Sequence, residues 1–253
     1  MSAGRKVAIT GGSGLIGGIL IERLANKHQV AGIARRKVDK FDLVMADSTD
    51  VASLRDAFSG AEVVVDLAAR VGGANWSAVY DNNLPSTYNA LQAAQEAGVK
   101  RVVFASSNHA TGMYERDKPY VDIIAGRFDG LTPDSFQRIK WDWPVRPDSP
   151  YGISKAFGEA AGRYYSENHG LSVLCLRIGS VVEEDTANHP RTCCTLQTHR
   201  DLVHQVDCCI TAPDELPFGI YFGVSANTWR IWDIENAAHD IGYQPKDDAE
   251  KWR

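Results

Sequence analysis

The feature that most constrains the fold of this chain is a glycine-rich segment near its beginning. Residues 10–17 read Thr-Gly-Gly-Ser-Gly-Leu-Ile-Gly, directly after a short apolar run and at the start of a segment with helical period. Glycines in such a strand-turn-helix unit let the backbone approach a pyrophosphate, whose charge meets the free N–H groups of the helix N-terminus. The pattern predicts that a dinucleotide is held by Gly11, Ser13, Gly14, Leu15, Ile16 and Gly17. The alternative is a turn that serves strand-to-helix packing alone.

The rest of the chain alternates short strands with amphipathic helices. Predicted strands cover residues 6–10, 29–34, 43–46, 62–67, 101–106 and 172–178, with a further strand near Ile220. Apolar residues recur at helical spacing after the first strand and again around Leu84, Tyr88 and Leu91. We expect another helix around residues 202–210 and a helix at the end of the chain. This order predicts an α/β fold, a Rossmann-type doubly wound parallel sheet.

One segment interrupts this alternation. Residues 113–149, here called the excursion, contain four prolines and six aromatic residues. A loop of this length in a compact domain is usually functional or disordered, and the aromatic residues favour a packed lid. We expect residues 1–178 to form the nucleotide-binding domain, with the excursion as part of its active site. Residues 179–253 are expected to form a small substrate-binding portion that is not an independent domain.

Composition excludes several classes of function. Of the 253 residues, 32 are Asp or Glu and 27 are Lys or Arg, which argues against broad attachment to nucleic acid or to an anionic membrane. The five cysteines include no Cys-x-x-Cys spacing, so neither a disulfide framework nor a metal site is predicted. We expect a cytoplasmic protein that acts on a small molecule.

The end of the second predicted strand bears on the choice of nucleotide. An acidic residue there would bind the 2′-hydroxyl of NAD, whereas an arginine pairs with the 2′-phosphate of NADP. This chain has Arg35 and Arg36, which favours NADP; the alternative is that both arginines are solvated on a surface loop and NAD binds equally well. Asp47, after the third strand, is placed to contact adenine or to cap the helix that begins near residue 50.

Tyr151 and Lys155 form the candidate catalytic pair. Four residues apart, they project from one face of a helix. A tyrosine with its ordinary pKa of about 10 is a poor base at neutral pH, and an ammonium group held nearby favours the phenolate. An ordinary amphipathic helix would produce the same spacing. The catalytic interpretation becomes specific when the pair is combined with the glycine turn and with Ser106 and Ser107 at the end of the fifth strand.

These motifs together resemble the extended short-chain dehydrogenases/reductases, the superfamily of sugar-nucleotide epimerases and dehydratases. The resemblance implies that Ser107 polarises the substrate oxygen; Ser106 is the alternative residue for this role. It also implies that Tyr151 is the catalytic acid/base, and that Lys155 lowers the pKa of this tyrosine and holds the nicotinamide ribose. Residues of the fourth-strand segment would line the cofactor, namely Leu67, Ala68 and Ala69. Asn83 matches the asparagine that positions the lysine. Asp66 stands where a histidine is common in the family.

A closer resemblance is carried by residues 104–109, 177–180, 223–227 and 242–247. They are similar to the uronate dehydrogenases and related archaeal sugar-phosphate dehydrogenases, which oxidise the anomeric carbon of an aldose. This resemblance implies that Asn108, His109 and Ser180 bind sugar hydroxyls and that Arg191 clamps an anionic end of the sugar. The alternatives are caps at the strand end and a surface charge. Two features depart from these relatives: the excursion is long, and Arg35 replaces an acidic residue.

The expected activity is hydride transfer between a sugar-like substrate and a nicotinamide cofactor, NADP or NAD. A second hypothesis is an NDP-sugar epimerase or dehydratase with a tightly held cofactor. Only 75 residues follow Ile178, however, which leaves little chain for binding a nucleotide-sugar. A third is a module that senses NAD(P) without catalysis, which has no need of Ser107, Tyr151 and Lys155 together. The family resemblance also implies a homo-oligomer, formed through helices on the flank of the sheet.

Overall fold

The computed structural model describes residues 4–71 and 75–253. Within them, one sheet contains seven strands: β1 (Lys6–Ile9), β2 (Gln29–Ala34), β3 (Leu43–Met45), β4 (Val63–Asp66), β5 (Arg101–Ser107), β6 (Ser172–Ile178) and β7 (Phe218–Gly223). Their order across the sheet is β3-β2-β1-β4-β5-β6-β7, and every neighbouring pair is parallel. The predicted α/β class and parallel sheet are confirmed, and β5 extends one residue further than predicted, to Ser107.

The strand order reverses between β1 and β4, which lie side by side although two strands separate them in sequence. Chain connections leave this point of a doubly wound sheet in opposite directions and open a crevice at the carboxyl ends of the strands. The glycine turn follows β1 and therefore borders that crevice.

Helices cover both faces of the sheet. Those within the described residues are α1 (Leu15–Leu24), α2 (Val51–Ala57), α3 (Trp76–Ala78), α4 (Leu84–Glu96), α5 (Tyr120–Ile124), α6 (Pro150–His169), α7 (Pro190–Thr195), α8 (His199–Thr211) and α9 (Glu235–Ile241). A π-helical turn, Val79–Asn83, leads into α4, and 3₁₀ turns lie at Asn108–Ala110, Gly112–Arg116 and Ala249–Trp252. No helix in these described stretches is both long and apolar enough to span a membrane.

Two buried clusters fill the space between sheet and helices. On one face, Leu20 and Leu24 of α1 share a cluster with Leu202 and Val206 of α8. On the other, a second cluster combines Leu54 of α2, Leu91 of α4 and Tyr165 of α6 with residues of the strands. Helix α8 therefore packs in the same buried cluster as α1, and β7 pairs with β6 in the same sheet.

The excursion shares an apolar cluster with the C-terminal part of the chain. Tyr114, Tyr120, Ile123 and Ile139 are buried in a third cluster together with Trp232 and other C-terminal residues. The amide of Ile139 donates to the Ile231 carbonyl at 2.8 Å, which ties the segment to the chain after β7. Most of the aromatic side chains of the excursion pack in or against this cluster, whereas Trp141 is 38% exposed.

Candidate active site

In the turn after β1, the backbone at the start of α1 packs very closely on the backbone that leaves the strand. Gly11 has φ of 67°, in the left-handed region that favours glycine. A Cβ at Gly17 would lie 2.3 Å from the Gly11 carbonyl oxygen, so only glycine lets α1 begin this close to the strand. The first amides of α1 consequently face the crevice, in the arrangement that accepts a phosphate group. These contacts fit a dinucleotide pyrophosphate.

Thr10 joins the carboxyl ends of β1 and β4. Its hydroxyl donates to the Asp66 carboxylate at 2.6 Å and accepts from the amides of Leu67 and Ala68 at 3.0 and 3.1 Å. Burial raises the pKa of the Asp66 carboxyl, although the bond from Thr10 and the charge of Lys155 act in the opposite direction. The network fixes the two strand ends between which the crevice opens.

A cleft of about 1130 Å³ runs along this edge of the sheet. It extends from Arg35 and Arg36, at the end of β2, to Arg191 at the start of α7. Its walls include nearly all the predicted site residues: Gly11, Ser13, Gly14, Leu15, Ile16, Gly17, Leu67, Ala68, Ala69, Ser107, Asn108, His109, Tyr151, Lys155 and Ser180. The structure thus brings together residues that are far apart in sequence. Asp47 and Asn83 do not line the cleft.

Asp47 instead stabilises the turn before α2. Its carboxylate accepts from the amide and the hydroxyl of Thr49, at 3.0 and 2.9 Å, and these bonds lower its pKa. The cap of α2 is Asp50, whose side chain accepts from the Ala52 amide. The predicted alternative in which Asp47 caps this helix is therefore wrong, and the predicted contact with adenine stays a prediction. The neighbouring Ser48 lines the cleft.

Asn83 lies behind the cleft, where it is 2% exposed. Its amide side chain accepts from the Arg70 amide at 2.9 Å and donates to the Arg70 carbonyl at 3.0 Å. It also donates to the hydroxyl of Ser154 at 3.3 Å, next in sequence to Lys155. Asn83 thus connects the segment after β4 to α6, and any effect on the lysine is exerted through the backbone of that helix.

Tyr151 and Lys155 occupy the first two turns of α6. Ser149 caps this helix by accepting from the Gly152 amide at 3.1 Å. Lys155 is 3% exposed as a residue, and its ammonium group lies 5.4 Å from the centre of the Tyr151 ring. A Cβ at Gly152 would lie 2.2 Å from the His109 carbonyl oxygen, so α6 packs tightly on the turn after β5. This contact holds the lysine, the phenol and the end of β5 at one point of the cleft.

The two serines at the end of β5 have different partners. Ser106 donates to the buried Glu159 carboxylate at 2.6 Å, and Arg177 forms a bidentate ion pair with the same carboxylate. Ser107 accepts from the His109 amide at 3.2 Å, which leaves its own proton available to a ligand. Of the two candidates, the geometry favours Ser107 as the group that contacts a substrate oxygen.

His109 packs its ring edge-on against Tyr151, with the ring centres 5.9 Å apart. Its Nδ1 lies 2.8 Å from the Asp148 carboxylate, which also accepts from the Ser149 hydroxyl at 2.8 Å. Asp148, at the end of the excursion, therefore orients the imidazole and adjoins the cap of α6. The composition of the excursion gave no signal for this role of Asp148.

At the far end of the cleft, Arg191 is surrounded by polar groups. It donates to Asn108 Oδ1 at 3.1 Å and lies 3.4 Å from the Ser180 hydroxyl. Two further bonds go to the carboxylate of Glu115, a residue of the excursion that the sequence did not single out.

Among the described residues, no cluster of His, Cys, Asp and Glu has the arrangement of a metal site.

Known proteins are similar to this chain in both sequence and fold. The NAD dependent epimerase/dehydratase family matches residues 7–196. An L-arabinose 1-dehydrogenase (NAD(P)(+)) of Haloferax volcanii is 34% identical, over 96% of this chain and 97% of its own length. An NAD-dependent glucose-6-phosphate dehydrogenase of the same organism is 31% identical, over 96% and 94% of the two chains. The chain therefore belongs to the NAD dependent epimerase/dehydratase family.

Solved structures lead to the same group of proteins. The crystal structure of uronate dehydrogenase from Agrobacterium tumefaciens superposes with a TM-score of 0.83 at 28% identity, covering 99% of this chain and 88% of the other. A variant of that enzyme in complex with NAD superposes with a TM-score of 0.82. The resemblance inferred from the motifs is confirmed, and the particular relatives are sugar dehydrogenases.

Proposed function

We propose that this chain is an NAD(P)-dependent dehydrogenase that oxidises the anomeric carbon of an aldose-like sugar. One observation carries the proposal: the glycine turn, Ser107, Tyr151 and Lys155 all line a single cleft at the carboxyl edge of the sheet. The named activities of the similar proteins, on arabinose, glucose 6-phosphate and uronates, support a sugar-like substrate.

The roles of the side chains follow from this geometry. Tyr151 as phenolate removes the proton from the sugar hydroxyl, while Ser107 holds the same oxygen by a hydrogen bond. Lys155 stabilises the phenolate by its charge. A nicotinamide held in the cleft would supply the hydride-transfer chemistry, as acceptor of the hydride from the same carbon. Asn108, His109, Ser180 and Arg191 contact the remaining polar groups of the sugar.

The residues that would hold the cofactor line the cleft from the catalytic pair to the end of β2. The amides that follow Gly11 would bind its pyrophosphate, and the segment 67–69 would contact it. The end of β2 and the turn after β3, where Asp47 lies, would bind its adenosine end. We propose NADP as the preferred form, since Arg35 and Arg36 line that end of the cleft.

Replacing Arg35 tests this preference. We expect Arg35→Ser to lower kcat/KM for NADP⁺ by about 10-fold or more, the size of one lost charge-assisted hydrogen bond, with little change for NAD⁺. Lys37→Ser, which removes an exposed charge outside the cleft, is the matched control. Initial rates with both cofactors measure the effect. An equal loss with both cofactors would contradict a contact with the 2′-phosphate.

We further propose that the protein is a homo-oligomer. Exposed apolar side chains line one flank of the sheet: Tyr88 of α4 and Ile153, Phe157 and Tyr164 of α6 are 48%, 45%, 38% and 52% exposed. Neighbouring apolar side chains of this kind mark association surfaces. Light scattering should give a multiple of the chain mass for the wild type and a smaller mass for Phe157→Glu. A wild-type monomer would refute this proposal.

In this proposal the chain does not consist of two independent domains. We propose that residues 1–178 bind the cofactor and that residues 179–253 complete the sugar-binding end of the cleft but do not fold independently. The shared buried cluster of Leu20, Leu24, Leu202 and Val206, and the pairing of β7 with β6, support this division.

A substrate panel tests the proposed function. Neutral aldoses, uronic acids and sugar phosphates are each mixed with the protein and either NAD⁺ or NADP⁺, and the nicotinamide absorbance is followed. Stoichiometric reduction of added cofactor by at least one sugar is the expected result. Cofactor that copurifies and never exchanges would favour an epimerase. Binding of nucleotide without turnover of any sugar would favour a sensor.

A further inference from the structure

The arginine at the sugar end of the cleft already has a carboxylate partner. Arg191 Nε and Nη2 each lie 2.7 Å from an oxygen of Glu115, so the ion pair is bidentate. The Glu115 side chain is only 12% exposed and that of Arg191 is 29% exposed. Burial alone would lower the pKa of Arg191, but the hydrogen bonds and charge of Glu115 outweigh it and raise the pKa. The guanidinium is therefore a cation whose charge is neutralised within the chain.

Glu115 is held in place by the excursion. It lies in the 3₁₀ turn Gly112–Arg116, where the Met113 amide donates to the Arg146 carbonyl at 2.9 Å. Next in sequence, the Tyr114 ring packs on Trp143 with the centres 5.4 Å apart, and its hydroxyl donates to the Pro144 carbonyl at 3.0 Å. A turn anchored on both sides positions the carboxylate, which is thus a constant part of the site.

This pairing changes what the site can recognise. A sugar carboxylate that approached Arg191 would have to displace Glu115 or lie beside it. Displacement would strand a charge in a largely buried position, and juxtaposition of like charges is itself unfavourable. Sugar hydroxyls meet no such obstacle, because each can donate to a carboxylate oxygen and accept from an N–H group. The paired groups also leave Asn108 and Ser180 oriented beside them.

We propose that the sugar end of this cleft accepts an uncharged aldose, and that Glu115 is the specificity-determining residue that excludes sugar acids. This inference rests on the proposed dehydrogenase function and names its substrate class. It replaces the anion-binding role that the sequence suggested for Arg191: the guanidinium instead contacts hydroxyl groups, with its charge balanced by the excursion.

The kinetic test compares galactose with galacturonate, which differ only in the oxidation state of the sixth carbon. For the wild type, we expect kcat/KM to favour galactose. Glu115→Gln keeps the shape of the side chain and frees the charge of Arg191, so the ratio should shift toward galacturonate by at least about tenfold. In Glu115→Gln/Arg191→Gln, which lacks both charges, this gain should disappear.

Asp117→Asn is the matched control. Asp117 also pairs with an arginine, Arg146, and lies two residues further along the excursion, but Arg146 does not line the cleft, whereas Arg191, the partner of Glu115, does. Loss of its charge should leave the galactose-to-galacturonate ratio at the wild-type value. A shift of the same size in this variant would mean that general loosening of the excursion, and not the Glu115 charge, controls selectivity, and would overturn the proposal.

A binding measurement separates failure of this inference from failure of the proposed function. Calorimetry of the protein saturated with reduced cofactor requires no turnover. Weak or undetectable galacturonate binding to the wild type, tighter binding to Glu115→Gln and detectable galactose binding to the wild type are the expected results. Wild-type preference for galacturonate or for glucose 6-phosphate over the neutral sugar overturns the inference, as does absence of any galactose binding. Sugar binding without cofactor reduction would refute only the dehydrogenase activity.

Discussion

Tyr151→Phe should reduce kcat about 1000-fold, or by about 4 kcal/mol of transition-state stabilisation, while the affinity for the nicotinamide cofactor stays nearly unchanged. The substitution removes one hydroxyl and keeps the ring that packs edge-on against His109. The proton acceptor is lost, but the glycine turn and the contacts along the cleft are retained. Steady-state rates give the loss of turnover, and fluorescence titration with reduced cofactor gives the affinity.

Tyr164→Phe is the control for this substitution. Tyr164 lies in the same helix, is 52% exposed and is not part of the cleft, so loss of its hydroxyl should leave turnover at the wild-type level. Wild-type turnover in Tyr151→Phe would refute the assignment of the acid/base. A parallel loss of cofactor affinity would instead indicate that the phenol acts in binding.

Arg177→Met should lower the free energy of unfolding by about 3–5 kcal/mol, the usual cost of removing one partner of a buried ion pair. Arg177 and Glu159 are 1% and 4% exposed, and their bidentate bonds measure 2.9 and 2.8 Å. Without the arginine, the Glu159 carboxylate is left with the Ser106 hydroxyl as its hydrogen-bond partner. Urea denaturation followed by circular dichroism measures the difference.

Two variants make this stability prediction specific. Glu159→Leu/Arg177→Met removes both charges and should recover much of the lost stability, because no buried charge then remains unpaired. Arg55→Met breaks an exposed pair with Asp56 and should change stability far less. If the double variant is less stable than Arg177→Met, then the carboxylate is not the source of the loss.

The parts of the fold that depend on local sequence could be predicted. Each strand of the sheet was placed within about a residue or two, since parallel strands buried on both faces are continuous apolar runs. The turn after β1 was recognisable because local backbone contacts there leave no room for a side chain, as the close approach of Gly17 to Gly11 shows. Tyr151 and Lys155 were predictable for a similar reason, since one helical turn separates them.

Groups joined by long-range packing could not be predicted. Glu115 and Arg191 are 76 residues apart, and Asp148 is 39 residues from His109. Nothing in the composition of the excursion distinguishes these acids from solvated charges such as Asp134, which is 95% exposed. Asp47 shows another limit: its position after β3 also suggested a cap for α2, but the cap is Asp50, and one carboxylate oxygen of Asp47 accepts from Thr49.

The points at which the excursion leaves and rejoins the domain have a consequence for how such proteins diversify. It begins at Met113, after the 3₁₀ turn Asn108–Ala110 that follows β5, and ends at Ser149, the cap of the helix that carries Tyr151. Ser107 and Tyr151, to which we assign the proton chemistry, both lie outside it, on β5 and on α6. In the proposed mechanism, changes within the excursion that spare Asp148 and Ser149 can therefore alter which sugar is admitted while the proton and hydride chemistry stays intact. In this architecture, substrate selectivity can evolve independently of the catalytic residues.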